Sequence, residues 1–386
     1  MSAGRRRIAM LAHSTNPRGG VVHALMVADT LTRLGEDVVV HAPDETGRGF
    51  FRPTQCKAVP VRAAPVHGDT HALVEQRIVD YLAHFENARH RRFDIWHAHD
   101  GISANALATL KERGLIDGYA MTVHHIDKFE DDRLNALQAR AMHEADRLFV
   151  VSKRWRDHLH SQHDRQAVIV GNGVDRERFR PVADGREAML REQLGLGVGP
   201  VVLAIGGIER RKNTVRMLQA FAQLRKVHRT AQLVIAGGVS LLDHSRYQIA
   251  FNGALAEAGL PPNAVILPGA MADDDMPALY RIADVLVFAS IEEGFGLVVV
   301  EAMASGTPVV VSKIAPFIDY LGEYEAVWCD PERAGSIADA IVMALTKPLR
   351  GRLITRGFNV ALRHDWIDTA KAHLPVYESL KMVHHA

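Results

Sequence analysis

The sequence predicts an α/β protein of two doubly wound, Rossmann-like domains facing each other across a cleft. Three observations carry that expectation. The chain has 386 residues, too many for one ordinary core and suited to two domains of roughly 150–200 residues each. Short, wholly apolar runs alternate with stretches of helical period, the pattern of parallel sheets covered on both faces. A polar stretch containing Pro and Gly, Arg180 to Pro200, interrupts the alternation, which restarts at Val201.

In chain order, Ile8–Ala12 reads as the first strand. Val21–Leu34 reads as a helix with Val22, Leu25, Ala28, Leu31 and Leu34 on one face, stopped by Gly35, and Val38–His41 as the next strand. Ile95–His97, Tyr119–Val123, Leu148–Val151 and Val168–Val170 continue the series with helices between. A short helix near Glu187–Leu194 sits in the interruption. Val201–Ile205, Leu233–Ala236, Val265–Leu267, Val285–Phe288 and Val309–Val311 are the strands of the second half. The expected division is a first domain over 1–180, a hinge near Pro181 opening a linker over 181–199, a second domain over 200–363, and a final helical segment, 364–386.

Bulk properties exclude several classes. Lys and Arg number 46 against 45 Asp and Glu, a net charge of +1, so no strong field marks a nucleic-acid binder. Hydrophobic content of 47% and charged content of 24% are those of a globular protein. No apolar run approaches the ~20 residues needed to span a bilayer. The apolar run after the basic Met1–Arg7 is too short for a signal-peptide core. Cys56 and Cys329 are the only cysteines, so no disulfide framework is expected and the cytoplasm is the default compartment. The basic run Arg89-His90-Arg91-Arg92 has two readings, peripheral contact with anionic lipid at the inner membrane face or a solvated helix end.

The most informative stretch is Glu293-Gly294-Phe295-Gly296-Leu297-Val298-Val299-Val300-Glu301, running on into Ala302-Met303-Ala304-Ser305-Gly306-Thr307-Pro308. It follows one strand and precedes another, so a glycine loop here opens a helix whose unpaired N–H groups and dipole suit a diphosphate. Glu301 lies about 6 Å along that helix from Leu297, while Glu293 stays in the loop. One carboxylate can meet ribose hydroxyls and the other sugar hydroxyls, with a diphosphate between. That is the shape of a nucleotide sugar.

The same segment resembles the E-x7-E motif of the retaining, GT-B-fold glycosyltransferases of family 4, including the continuation Glu-Ala-Met-Ala-x-Gly-x-Pro. Further segments resemble that family. Asp94-Ile95-Trp96-His97-Ala98-His99 matches its DxxHxH strand end, and His124 in Thr122-Val123-His124-His125 falls where a family histidine approaches the transferred sugar. Gly19-Gly20, opening the first helix, resembles the N-terminal loop that lines the cleft near donor phosphates and acceptor. The segments around Ser152 and Gly171-Asn172-Gly173-Val174-Asp175 resemble family elements that shape the cleft and the domain junction, and Gly237-Gly238 a turn that approaches the base. Gly206-Gly207-Ile208-Glu209-Arg210-Arg211-Lys212-Asn213 places Lys212 at the family's phosphate-binding lysine. The family commonly has arginine where this chain has Gly207. The second cation is then expected from Arg211.

The resemblance implies a retaining transferase whose donor is a nucleotide sugar, UDP- or GDP-linked. It also implies an acceptor bound mainly by the first domain, whether small molecule, glycan or lipid, and a final helix that crosses back onto that domain. His124, Glu293 and Lys212 are the expected catalytic residues. Arg211, Gly207, Gly294, Phe295, Gly296, Leu297, Val298 and Glu301 are expected to bind the donor. No cofactor and no essential metal are expected. His97 and His99 alternate on an extended chain and so face one way, but no ligand set completes a zinc site with them. Asp273-Asp274-Asp275 is read as a helix-capping run rather than a metal motif. The competing readings are a nucleotide-sugar epimerase, a phosphorylase (which would need a pyridoxal-bearing lysine region that the sequence lacks), and a non-catalytic sugar-nucleotide-binding subunit.

Overall fold

The structure is a computed structural model and describes residues 5–238 and 245–383. The chain divides into two compact units. One comprises residues up to Asn172 together with the terminal helix from Trp366, and the other spans Gly173–Asp365.

The first unit is a seven-stranded parallel sheet. Its strands are β1 (Arg7–Leu11), β2 (Asp37–Asp44), β3 (Lys57–Arg62), β4 (Ile95–Ala98), β5 (Ala120–Val123), β6 (Arg147–Val150) and β7 (Ala167–Ile169), in the order β3-β2-β1-β4-β5-β6-β7. Helices α1 (Gly19–Arg33), α2 (Thr70–Glu86), α3 (Gly101–Glu112), α4 (Asp132–Glu144) and α5 (Lys153–His163) make the crossovers. The central strand β1 is apolar because both its faces are covered, and Ile8 through Leu11 are fully buried. The buried face of α1 differs from the expected stripe. Val21, His23, Ala24, Leu25, Val27, Ala28 and Leu31 are buried, whereas Leu34 is exposed. The terminal helix, Trp366–Val383, packs along α1. Tyr377, fully buried on it, sets its hydroxyl 2.7 Å from Nδ1 of His97. Arg91 donates to the carbonyls of Phe85 and Glu86 at the end of α2, so this member of the basic run closes a helix C-terminus.

The second unit is a six-stranded parallel sheet of β8 (Val201–Ile205), β9 (Gln232–Ala236), β10 (Val265–Gly269), β11 (Val285–Phe288), β12 (Val309–Ser312) and β13 (Val327–Cys329). Its order, β10-β9-β8-β11-β12-β13, repeats the arrangement of the first sheet's six leading strands. Its helices are α6 (Arg186–Gln193), α7 (Thr214–Leu224), α8 (Ser245–Glu257), α9 (Met276–Ile282), α10 (Leu297–Ala304), α11 (Phe317–Tyr320), α12 (Ala334–Leu345) and α13 (Lys347–Leu362). Met217, Leu218 and Phe221 of α7 meet Ile337 and Ile341 of α12 over the sheet. Each such burial removes a large apolar side chain from water, worth about 1.5–3 kcal/mol.

Two features depart from the sequence reading. Residues 181–199, expected as a linker, are part of the second unit. Helix α6 lies against α9, where the buried Arg281 side chain pairs with Glu187 and, at 2.9 Å, with Asp184. Strands β3 and β13 were not foreseen. Both are edge strands; β3 is largely exposed and interrupted by Pro60, and β13, though apolar, is only three residues long.

Candidate active site residues

In each sheet the chain reverses its direction of winding between two neighbouring strands, β1/β4 in the first and β8/β11 in the second. Loops leaving the carboxyl ends of such strands diverge there and leave a crevice for a ligand. The candidate residues gather at these two places.

In the second unit the basic loop leaves β8 and the acidic loop leaves β11, and the two strands pair directly, Val285 with Val202 and Leu286 with Leu203. The amide of Ile291 donates to the Arg211 carbonyl at 2.9 Å, tying the loops together. Glu293 is consequently shared. Lys212 Nζ lies 2.6 Å and Arg211 Nη1 2.8 Å from the same oxygen, Oε1. Lys212 also stands 4.4 Å from the centre of the Phe288 ring. Burial by itself would raise the Glu293 carboxyl, but the neighbouring Lys212 and Arg211 cations outweigh it and hold the group down at about 2. Burial pushes the Lys212 ammonium below its ordinary value, opposed by Glu293. Glu209 joins them, 3.5 Å from Arg211 Nη2, so the cluster sets two cations among two carboxylates, with both cations on Glu293.

The loop that supplies Lys212 is built from glycines. Gly206 has φ +126°, and a Cβ there would fall 2.5 Å from Lys212 Cε. Gly207 has φ +75°, with its Cβ direction 2.9 Å from the Gly238 carbonyl oxygen. Any side chain at position 207 would be strained in this conformation. Arg211, four residues on, brings a guanidinium to Glu293.

The rest of the segment divides between a helix terminus and the core. Gly296, at φ +90°, precedes α10 and has no room for a side chain, since a Cβ would lie 2.8 Å from Phe317. The first N–H groups of α10, from Leu297 and Val298, have no intrahelical acceptor to serve. Gly294 is buried with Glu293. Phe295 turns into the core, stacked on Tyr320 with ring centres 4.8 Å apart, so any contact it makes to a ligand comes through its backbone. Glu301 Oε2 accepts a 2.7 Å hydrogen bond from Tyr280, whose ring is fully buried.

Sequence reasoning missed Tyr280, Phe288 and Asn213. Asn213, at φ +60°, donates to the carbonyls of Ala289 (3.0 Å) and Pro331 (2.8 Å) and holds the basic loop against the end of β11. Its place directly after Arg-Arg-Lys was the one available signal. Asp273, Asp274 and Asp275 form a 3-10 turn directly before α9, with Asp275 at that helix's N-cap position, where its side chain makes no capping hydrogen bond. Arginines pair with all three carboxylates, Arg178 with Asp273 at 2.7 Å and Arg186 with Asp275 at 3.2 Å and Asp274 at 3.9 Å.

In the first unit, His99 follows β4 and His124 follows β5, with His99 Nδ1 3.4 Å from His124 Nε2. His97 is committed to structure, as Tyr377 and Thr122 (2.8 Å) engage its two ring nitrogens. Gly20 lies beneath His124, and a Cβ there would come 3.2 Å from His124 Cδ2, whereas Gly19 faces open space. Burial holds His124 well below its ordinary value, so its imidazole is neutral near pH 7.

Comparison with known proteins agrees with this architecture. The family profile described as "Glycosyl transferases group 1" matches residues 186–372, and that described as "Glycosyltransferase Family 4" matches residues 17–178. D-inositol 3-phosphate glycosyltransferase of Mycobacterium bovis BCG is 30% identical over 96% of this chain and 83% of its own length. Mannosylfructose-phosphate synthase of Agrobacterium fabrum is 35% identical, over 41% of this chain and only 33% of that protein. Among solved structures, sucrose-phosphate synthase from Thermosynechococcus elongatus superposes with a TM-score of 0.80 at 22% identity, covering 98% of this chain and all of that one. Anabaena HepE, solved with UDP-glucose, superposes with a TM-score of 0.76 at 17% identity, covering 97% of this chain and 100% of its own. Two parallel-sheet Rossmann-like units, both family profiles and full-length relatives converge, and the chain belongs to the group 1, family 4 glycosyltransferases, with a GT-B fold.

Proposed function

We propose that this glycosyltransferase moves a sugar from a UDP- or GDP-linked donor to an acceptor hydroxyl, with retention of configuration and without an essential metal. The observation that carries the reading is the convergence of Lys212 and Arg211 on Glu293 at the β8/β11 switch point, beside the N-terminus of α10. Two cations and a helix terminus neutralise charge that builds on a departing diphosphate. Glu301, oriented by Tyr280, takes the ribose hydroxyls, and Glu293 takes hydroxyls of the sugar. Because Glu293 is ionised and saturated by cations, it holds and orients rather than attacks. The reaction is then a front-face substitution. The bond from the anomeric carbon to the diphosphate breaks, the acceptor oxygen bonds to that carbon on the same face, and the leaving phosphate takes the acceptor proton. His124, neutral, serves as a hydrogen-bonding group toward a sugar hydroxyl, and the Gly19-Gly20 loop as part of the acceptor side.

We place the reaction in the cytoplasm. Among the described residues no helix is long and apolar enough to cross a membrane, and any membrane contact would be peripheral. Calorimetric titration with UDP, GDP and ADP tests the reading, with Glu301→Ala as control. Saturable binding of UDP or GDP, weakened at least ~10-fold in the variant (about 1.4 kcal/mol), supports it. Absence of binding by all three nucleotides sinks it.

A further inference from the structure

Around His124 the first unit gathers further histidines to which the proposed transfer gives no role. Helix α1 projects His23 into the same place as His99 and His124, so that one ring nitrogen from each lies within 4.8 Å of the others. Ring centres of His23 and His124 are 4.7 Å apart, and those of His23 and His99 5.5 Å. His23 and His99 are buried; Nε2 of His23 lacks a hydrogen-bond partner among the described residues, and His99 turns its Nδ1 toward Nε2 of His124. A buried ring nitrogen with no partner is costly, and one that persists calls for an occupant.

The chemistry of the three rings identifies that occupant. His23 Nδ1 lies 2.7 Å from Oδ1 of Asn172, an oxygen that can only accept, so the proton is on Nδ1 and Nε2 offers a bare lone pair. This is the arrangement in which an outer partner fixes the tautomer of a metal-ligating histidine. The 3.4 Å between His99 Nδ1 and His124 Nε2 matches the roughly 3.3–3.4 Å between two nitrogens bound at about 2.0–2.1 Å to one tetrahedral ion. Three imidazole nitrogens with no carboxylate suit zinc and its borderline neighbours and repel magnesium and calcium. His97 has both ring nitrogens engaged, by Tyr377 and Thr122; His373 bonds the Thr369 carbonyl through Nδ1 and leaves Nε2 unpartnered among the described residues, but it does not belong to the group whose nitrogens converge within 4.8 Å.

We propose that His23, His99 and His124 form a three-histidine site for a divalent zinc-type ion, oriented by Asn172 and with its fourth position open. The ion is not needed for transfer. It withdraws His124 from the hydrogen bonding assigned to it above, so zinc inhibits reversibly; that consequence alone rests on the proposed function. The site itself does not.

The test starts from full-length protein stripped with a chelator. Zinc is titrated by calorimetry, and cobalt(II) by the visible absorption of a four-coordinate ion. One equivalent in the wild type is expected, with affinity at least ~100-fold lower in His23→Ala. In Asn172→Ala, which keeps all three ligands, the expected loss is ~10–100-fold, and this variant decides the matter if His23→Ala does not fold. His143→Ala, an exposed histidine outside the cluster, is expected to bind as the wild type does. Absence of stoichiometric binding in the wild type overturns the proposal, as does unchanged binding in both His23→Ala and Asn172→Ala. If zinc binds as expected yet leaves transfer unaffected, the site stands and the role given to His124 falls.

Discussion

Replacing Glu293 by Gln removes the anion shared by Lys212 and Arg211 while keeping the side chain's size. The consequence follows from the two contacts, 2.6 and 2.8 Å, to a single oxygen. They hold the carboxyl at about 2 rather than its ordinary 4.5, which at roughly 1.4 kcal/mol per tenfold is about 3 kcal/mol of stability at pH 7. A depressed carboxyl contributes its full amount above about 4.5 and loses it as pH falls toward about 2. At pH 3 roughly half of it should remain. The assay is urea unfolding of wild type and Glu293→Gln, followed through the transition of the second unit at pH 7, 5, 4 and 3. The expected gap is about 3 kcal/mol at pH 7, shrinking to about half by pH 3. Equal stabilities at pH 7, or a gap that does not change with pH, would refute the reasoning. It would mean that the cost of burying the three charges cancels their attraction. Turnover of the same variant is a separate readout, expected to fall on the order of 10²-fold.

Three further predictions concern the scaffold around these residues. Gly296→Ala combines φ +90° with a Cβ 2.8 Å from Phe317, so about 1–3 kcal/mol of stability should be lost; a melting temperature within a degree of wild type would contradict the strain. Asn213→Ala removes two buried hydrogen bonds to Ala289 and Pro331, for an expected loss of about 2 kcal/mol with donor affinity falling alongside it. An unchanged unfolding midpoint would show that the loop holds without it. Gly20→Ala crowds His124 at 3.2 Å and should lower kcat several-fold with nucleotide affinity unchanged. Weaker nucleotide binding in that variant would place the perturbation somewhere other than His124.

Much of the fold was legible because its signals are local. Central strands such as β8 and β11 are apolar on both faces, and a run of Val, Leu and Ile announces that without reference to anything distant. The E-x7-E segment was readable for the same reason, since the loop, the helix start and the spacing of its two carboxylates all lie within a few residues. Strand β3 escaped because it is half solvated and broken by Pro60, and β13 because three residues give little pattern to read. The buried stripe of α1 was misjudged because its width depends on the sheet beneath and on the terminal helix beside it.

From sequence alone came the two-unit α/β plan, the family, and the positions that carry charge or turn the chain. Tertiary structure decided what those positions do to one another. It brought Arg211 and Lys212 onto one oxygen of Glu293 some eighty residues away, set Tyr280 against Glu301, and turned the first-unit histidines toward different partners. His97 went to Tyr377, while His99 and His124 joined His23. The physical reason is that strand order and register determine which loops leave the sheet side by side. Those are properties of long-range pairing, to which periodicity within a segment is blind.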